Sequence, residues 1–156
     1  MTDKLLDNEQ FVLPNFFPYR LAVFSEDVSK AMAQLYGGRF NLSRQEWRVI
    51  AALGEQQDLT AKEISEYSTL DKTQVSRATA KLLKAGLITR EEDKQDRRHL
   101  HHDLSRKGHR VYKEIIPLVL AREGYILSTL TDAESVELER LINKVHQKAL
   151  ELQQWG

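Results

Sequence analysis

The chain has 156 residues, enough for one domain with a buried core or one domain carrying helical extensions. Lys and Arg total 23 and Asp and Glu total 23, so the global balance gives no argument for nucleic acid, a membrane or an acidic substrate. Cysteine is absent, which excludes disulfides, thiolate metal sites and cysteine nucleophiles.

No apolar run approaches the roughly 20 residues that span a bilayer. The start MTDKLLDNEQ also lacks the basic and apolar regions of a secretory signal. A soluble, cytoplasmic chain with no membrane partner is expected. Residues 1 to about 14 read as an untethered tail.

Phe17, Leu21, Phe24, Val28, Met32 and Leu35 recur at spacings of three and four. That is one face of a helix, entered through Pro18 and ended near Gly37-Gly38. Three further helix starts carry a capping residue with Glu or Gln three places later: Ser43 with Glu46, Thr60 with Glu63, and Asp71 with Gln74. In each, the cap side chain accepts from the third helical amide while the Glu or Gln reaches back to the cap amide. The last of the three stops at Gly86, a natural left-handed C-cap residue.

After Gly86 the pattern becomes LITREE, then DKQDRR, then HLHHDL, which predicts two short strands closed by a charged loop. Helix, turn, helix, then hairpin is the order of a winged helix-turn-helix. From Ser105 a helical period returns through Tyr112, Ile115, Ile116, Val119, Ile126, Leu127 and Leu130, interrupted by Pro117, where a local kink is expected. Thr131 with Glu134 starts a final helix bearing Leu138, Leu141, Ile142, Val145, Ala149 and Leu152. The predicted fold class is mainly α with a small β-hairpin: a winged helix-turn-helix lobe with N- and C-terminal helices.

Charge is uneven along this order. Residues 60–110 hold 12 Lys or Arg against 8 Asp or Glu, and the remainder holds 11 against 15. A basic middle on a helix-turn-helix and hairpin is the electrostatic footprint of a DNA reader. On the helix after Asp71, Val75, Ala78 or Thr79, Leu82 and Leu83 form the inner face. Lys72, Thr73, Gln74, Ser76, Arg77 and Lys81 are left outward. In a major groove Arg addresses guanine and Gln adenine, although the same pattern describes an ordinary solvated helix face. Arg97 and Arg98 sit at the hairpin tip, where they pack no core and suit a narrow minor groove.

The stretches LSRQEWRVIAAL, LTAKEIS, KTQVSRATAKLLKAGLITRE, DKQDRR and LSRKG, in this order, resemble the MarR family of bacterial transcription regulators over about residues 15 to 153. The resemblance implies a single MarR-like domain, 1–156, with dimerisation helices at 15–38 and 105–153 and a winged lobe at 43–104. It implies a homodimer on double-stranded DNA with a pseudo-palindromic operator, and most often a repressor. One of Arg97 and Arg98 would enter the minor groove and the other be tied to an acidic brace, with Asp71 and Asp96 at the matching positions. By the same resemblance a small phenolic or carboxylate effector would meet Tyr19, Arg20, Trp47, His109 and Tyr112, although Trp47 and Tyr112 also suit a plain core.

The second hairpin strand departs from the family pattern: His101, His102 and Asp103 replace apolar residues, which predicts a more exposed or less regular strand. His99 and His101 fall on one face and His102 on the other, an awkward set for a mononuclear metal site, and no metal or cofactor is expected. No Gly-rich phosphate loop or catalytic frame supports an enzyme. The alternative to DNA binding is a winged-helix protein-interaction module.

Overall fold

The computed structural model describes residues 11–94, 96 and 99–154. A short 3-10 turn, Leu13–Asn15, precedes α1 (Phe17–Gly38), α2 (Arg44–Glu55), β1 (Leu59–Thr60), α3 (Ala61–Ser68) and α4 (Lys72–Lys84). Then come β2 (Ile88–Glu92), β3 (Leu100–Leu104), α5 (Arg106–Leu127) and α6 (Asp132–Gln154). The chain divides into two compact units, Met1–Ile115 and Ile116–Gly156. The boundary falls inside α5, beside Pro117, which costs that helix one backbone hydrogen bond without ending it. Among the described residues no helix is long and apolar enough to cross a membrane.

All three predicted capping boxes in the first unit form. The Ser43, Thr60 and Asp71 side chains accept from the amides of Glu46, Glu63 and Gln74, and each N3 side chain returns to the cap amide. Glu46 is itself buried, and its second oxygen lies 3.6 Å from Lys81 Nζ on α4. At the end of α4, Gly86 adopts φ +69°, with Gly86 N donating to Leu83 O and Leu87 N to Leu82 O. Those two bonds satisfy carbonyls that the helix end would otherwise orphan.

The core of this unit lies where α2 meets α3, α4 and the sheet. Val49, Ile50, Leu53, Ile64, Val75, Leu82, Ile88, Leu104 and Ile115 are all buried. Burying each such side chain is worth about 1.5–3 kcal/mol, which fixes the angle at which α4 leaves the lobe.

The hairpin gains a strand that the periodicity did not predict. β1 pairs antiparallel with β3, giving the order β1-β3-β2. β2 and β3 pair from Ile88↔Leu104 through Glu92↔Leu100 without a break. This corrects the expectation of an exposed, irregular second strand: His102 is only 5 % exposed and occupies the inner face with Leu104. It is tolerated there because Nδ1 lies 3.3 Å from Leu59 O on β1, so a buried polar ring has a partner.

Two long helices carry apolar faces open to solvent in the single chain. On α1 only Tyr36 is buried, while Phe17, Leu21 and Phe24 are exposed. In the second unit α6 has no buried residue, and Leu138, Leu141, Ile142, Val145 and Leu152 lie bare at helical spacing. The Thr131–Glu134 box that starts α6 forms as expected.

Candidate nucleic-acid interface

The turn between α3 and α4 sets the pose of the outward helix. Thr69 ends α3 with φ +59°, a left-handed conformation unusual for a β-branched residue. Hydrogen bonds hold it: Ser65 Oγ donates to Leu70 O at 2.6 Å, and Arg48 donates to Thr69 Oγ1 at 3.3 Å. Asp71 then caps α4, its Oδ1 accepting from Gln74 N at 2.8 Å.

With Val75, Ala78, Thr79 and Leu82 turned inward, α4 presents Lys72, Thr73, Ser76, Arg77 and Lys81 to solvent. Gln74 differs from this set. It is half-buried, and its Oε1 accepts from Asp71 N at 3.0 Å. Reading an adenine with both amide atoms would therefore compete with the capping box.

Between α3, α4 and the sheet runs a cleft of about 640 Å³ whose rim carries Lys62, Lys72, Arg90 and His99, with Glu63 and Glu66 on the same lining. Lys62 and Arg90 were not among the residues singled out from sequence. Their signal was present but weak: Lys62 sits in the first turn of α3, and Arg90 lies opposite His102 in the β2–β3 register.

Arg97 and Arg98 lie outside the described residues. Asp96, beside them in sequence, donates its amide to Asp93 Oδ1 at 2.9 Å and lies 3.6 Å from His99 Nε2. His99 precedes β3 and is exposed, and His101 lies between two aspartates. Its Nδ1 is 3.3 Å from Asp58 Oδ1, and its Nε2 is 3.2 Å from Asp93 Oδ2. The backbone carbonyl of Asp58 and then the two carboxylates push the His101 pKa up, against some desolvation. Burial pushes the neighbouring His102 down, with Arg90 adding to the effect.

Of the five residues expected to line an effector site, the structure brings Trp47 and Tyr112 together, ring centroids 6.5 Å apart. It adds Tyr36, stacked 5.8 Å from Trp47, which the sequence reading missed because it falls one residue beyond Leu35 on α1. Burial raises the Tyr36 pKa, partly offset by Arg44 and Arg48. Tyr112 in turn lies over Gly54, where a Cβ would come within 2.4 Å of the ring. Tyr19 and Arg20 are exposed in the first turn of α1, and His109 is half-buried on α5.

Residues 40–99, which include α2 to β2, match the family model described as MarR family. The HTH-type transcriptional regulator FarR of Neisseria gonorrhoeae is 27% identical over 113 residues, spanning 66% of this chain and 77% of that protein. Over this segment the chain is similar to the MarR family. The transcriptional repressor MprA of Escherichia coli K12 is 29% identical over 102 residues, 65% of this chain, which covers 58% of MprA's own length. The MarR fold extends beyond the matched segment: the S. aureus MepR–DNA complex superposes with TM-score 0.78 at 19% identity, over 89% of this chain and 99% of that one. MarR proteins are transcription regulators rather than enzymes, in keeping with a site built of solvent-facing cations and hydrogen-bonding groups.

Proposed function

We propose that this MarR-like chain is a homodimeric, sequence-specific DNA-binding regulator that represses transcription from a pseudo-palindromic operator in the cytoplasm. The observation that carries the reading is the face of α4. Five polar or cationic side chains stand in solvent on a helix whose opposite face is locked into the core. Such a helix is of the diameter a major groove admits. In this reading Lys72, Thr73, Gln74, Ser76, Arg77 and Lys81 meet bases and phosphates. Arg97 and Arg98 serve the flanking minor groove, with Asp71 and Asp96 as braces.

The bare faces of α1 and α6 support dimerisation through the helices at 15–38 and 105–153, within one MarR-like domain per chain. Two-fold symmetry then sets half-sites about 34 Å apart. A small phenolic or carboxylate effector that releases the DNA is proposed for the neighbourhood of Trp47 and Tyr112, with Tyr19, Arg20 and His109 as further contacts. Such an effector acts by its differential affinity for the two states, about 1–3 kcal/mol in typical cases.

Selection of bound duplexes from a random pool tests the reading, followed by titration of the selected site at increasing salt. A palindromic consensus is expected, with log K falling by roughly 0.9 per phosphate neutralised for each unit of log salt. Arg77→Ala should relax specificity at one position and cost about 1–3 kcal/mol. Failure to enrich any sequence at low salt would refute DNA reading and leave the protein-interaction module.

A further inference from the structure

The imidazole of His101 is surrounded by acceptors. Nδ1 is 3.2 Å from the Asp58 carbonyl oxygen and 3.3 Å from its Oδ1, and Nε2 is 3.2 Å from Asp93 Oδ2. A neutral imidazole carries one N–H, so one ring nitrogen would turn a lone pair toward an oxygen. Only the doubly protonated ring satisfies both sides.

The two aspartates belong to different parts of the lobe. Asp58, at φ +60°, leads into β1, and Asp93 begins the wing turn, where its Oδ1 accepts from Asp96 N and its own amide donates to His99 O. Arg97 and Arg98 follow Asp96 directly in the sequence.

We propose that His101 is a positioning residue for DNA binding: as an imidazolium it fastens the wing turn at Asp93 to the β1 edge at Asp58, so that taking up a proton strengthens the grip on DNA. The proposal rests on the DNA-binding reading above. The surroundings favour the charge. Glu91 is the cross-strand partner of His101 on β2, Glu63 on α3 feels it electrostatically, and Asp103 lies two residues on. Among the described residues, His102 would repel it, and burial pushes the His102 pKa down. The raised pKa of His101 agrees with this geometry.

The sign follows. A histidine with a raised pKa has its clamp fully formed below the ordinary value of about 6.5 and loses it as pH rises through the raised one. A clamp closed before DNA arrives removes part of the ordering cost of binding. By linkage, each pKa unit by which DNA raises His101 changes affinity by at most about tenfold.

The test uses the 156-residue chain and a selected duplex, with anisotropy titrations between about pH 6 and about pH 8.5 at constant ionic strength. Wild-type affinity should fall at least about fivefold over that range, while His101→Gln, which cannot titrate, should change less than about twofold. Asp58→Asn keeps the carbonyl acceptor and removes one charge, so its fall should move to lower pH. Long-range proton–nitrogen spectra of the imidazoles give a readout without DNA, and His101 should keep protons on both nitrogens to a higher pH than His102. A wild-type slope retained in His101→Gln, or a His101 that loses its second proton at no higher pH than His102, would overturn the proposal and leave DNA binding intact. Retention of no duplex at any pH would instead sink the DNA-binding reading, and this inference with it.

Discussion

Gly108→Ala tests how tightly the first turn of α5 is fitted to the end of α4. A Cβ at position 108 would lie 1.9 Å from the backbone oxygen of Leu87, 3.0 Å from its carbonyl carbon and 3.3 Å from Leu104 Cδ2. An unstrained carbon–oxygen contact is about 3.3 Å or more, so the two backbones must separate by about 1.4 Å. Leu87 cannot easily give way. Its amide closes the α4 cap, its carbonyl accepts from Ser105 N at 3.0 Å, and Ser105 Oγ donates to Gly86 O at 2.7 Å.

Overpacking of this kind costs about 1–3 kcal/mol, and a backbone obstacle belongs at the upper end. Alanine's better helix propensity returns about 1 kcal/mol. A net loss of about 2 kcal/mol is expected, measured as a lower urea midpoint at unchanged m by circular dichroism at fixed protein concentration. Gly124→Ala is the internal control: on the same helix a Cβ there meets nothing within 4 Å, so it should gain about 0.5–1 kcal/mol. If Gly108→Ala is as stable as Gly124→Ala, the close approach of α5 to Leu87 is wrong.

Ile142→Glu on the bare face of α6 should convert a dimer to a monomer in light scattering and abolish tight operator binding; a dimeric variant would show that this face is not the interface. Asp71→Ala should cost about 1 kcal/mol by removing the α4 cap and should also weaken operator binding; unchanged stability would mean that the box contributes nothing in solution. Because burial lowers the His102 pKa, the unfolded chain takes up a proton there more readily than the folded one, and stability is lost as pH falls below about 6.5. His102→Gln should therefore lose less stability than wild type between neutral and mildly acid pH, and an equal loss in urea midpoints would contradict that assignment.

The features legible in the sequence were those that neighbours along the chain decide. Ser43, Thr60, Asp71 and Thr131 announce their helices because a capping box spans only four residues, and all four formed. Gly86 announced its left-handed turn for the same reason. The two-residue strand Leu59–Thr60 carries no period, and only its pairing with His101 and His102 makes it a strand. That pairing also decides which histidine is buried, so His102 could not be recognised as a core residue, nor His101 as a bridge between Asp58 and Asp93. Tyr36 was missed because the buried face of α1 is set by contact with α2 and not by the apolar stripe that dominates its sequence. For the α4 surface the inner face predicted the outer one, and the five exposed residues stand where the period put them.

The carboxylate of Glu46 has two attachments, the amide of Ser43 at the start of α2 and the ammonium of Lys81 on the solvent-facing side of α4. The arrangement is lopsided: Lys81 is largely in water, whereas Glu46 is almost enclosed. A phosphate that draws Lys81 away therefore leaves the lysine solvated but strips an enclosed anion of its counter-charge. In the proposed complex, contact of Lys81 with a phosphate would thus be registered at the start of α2 as well as at the surface.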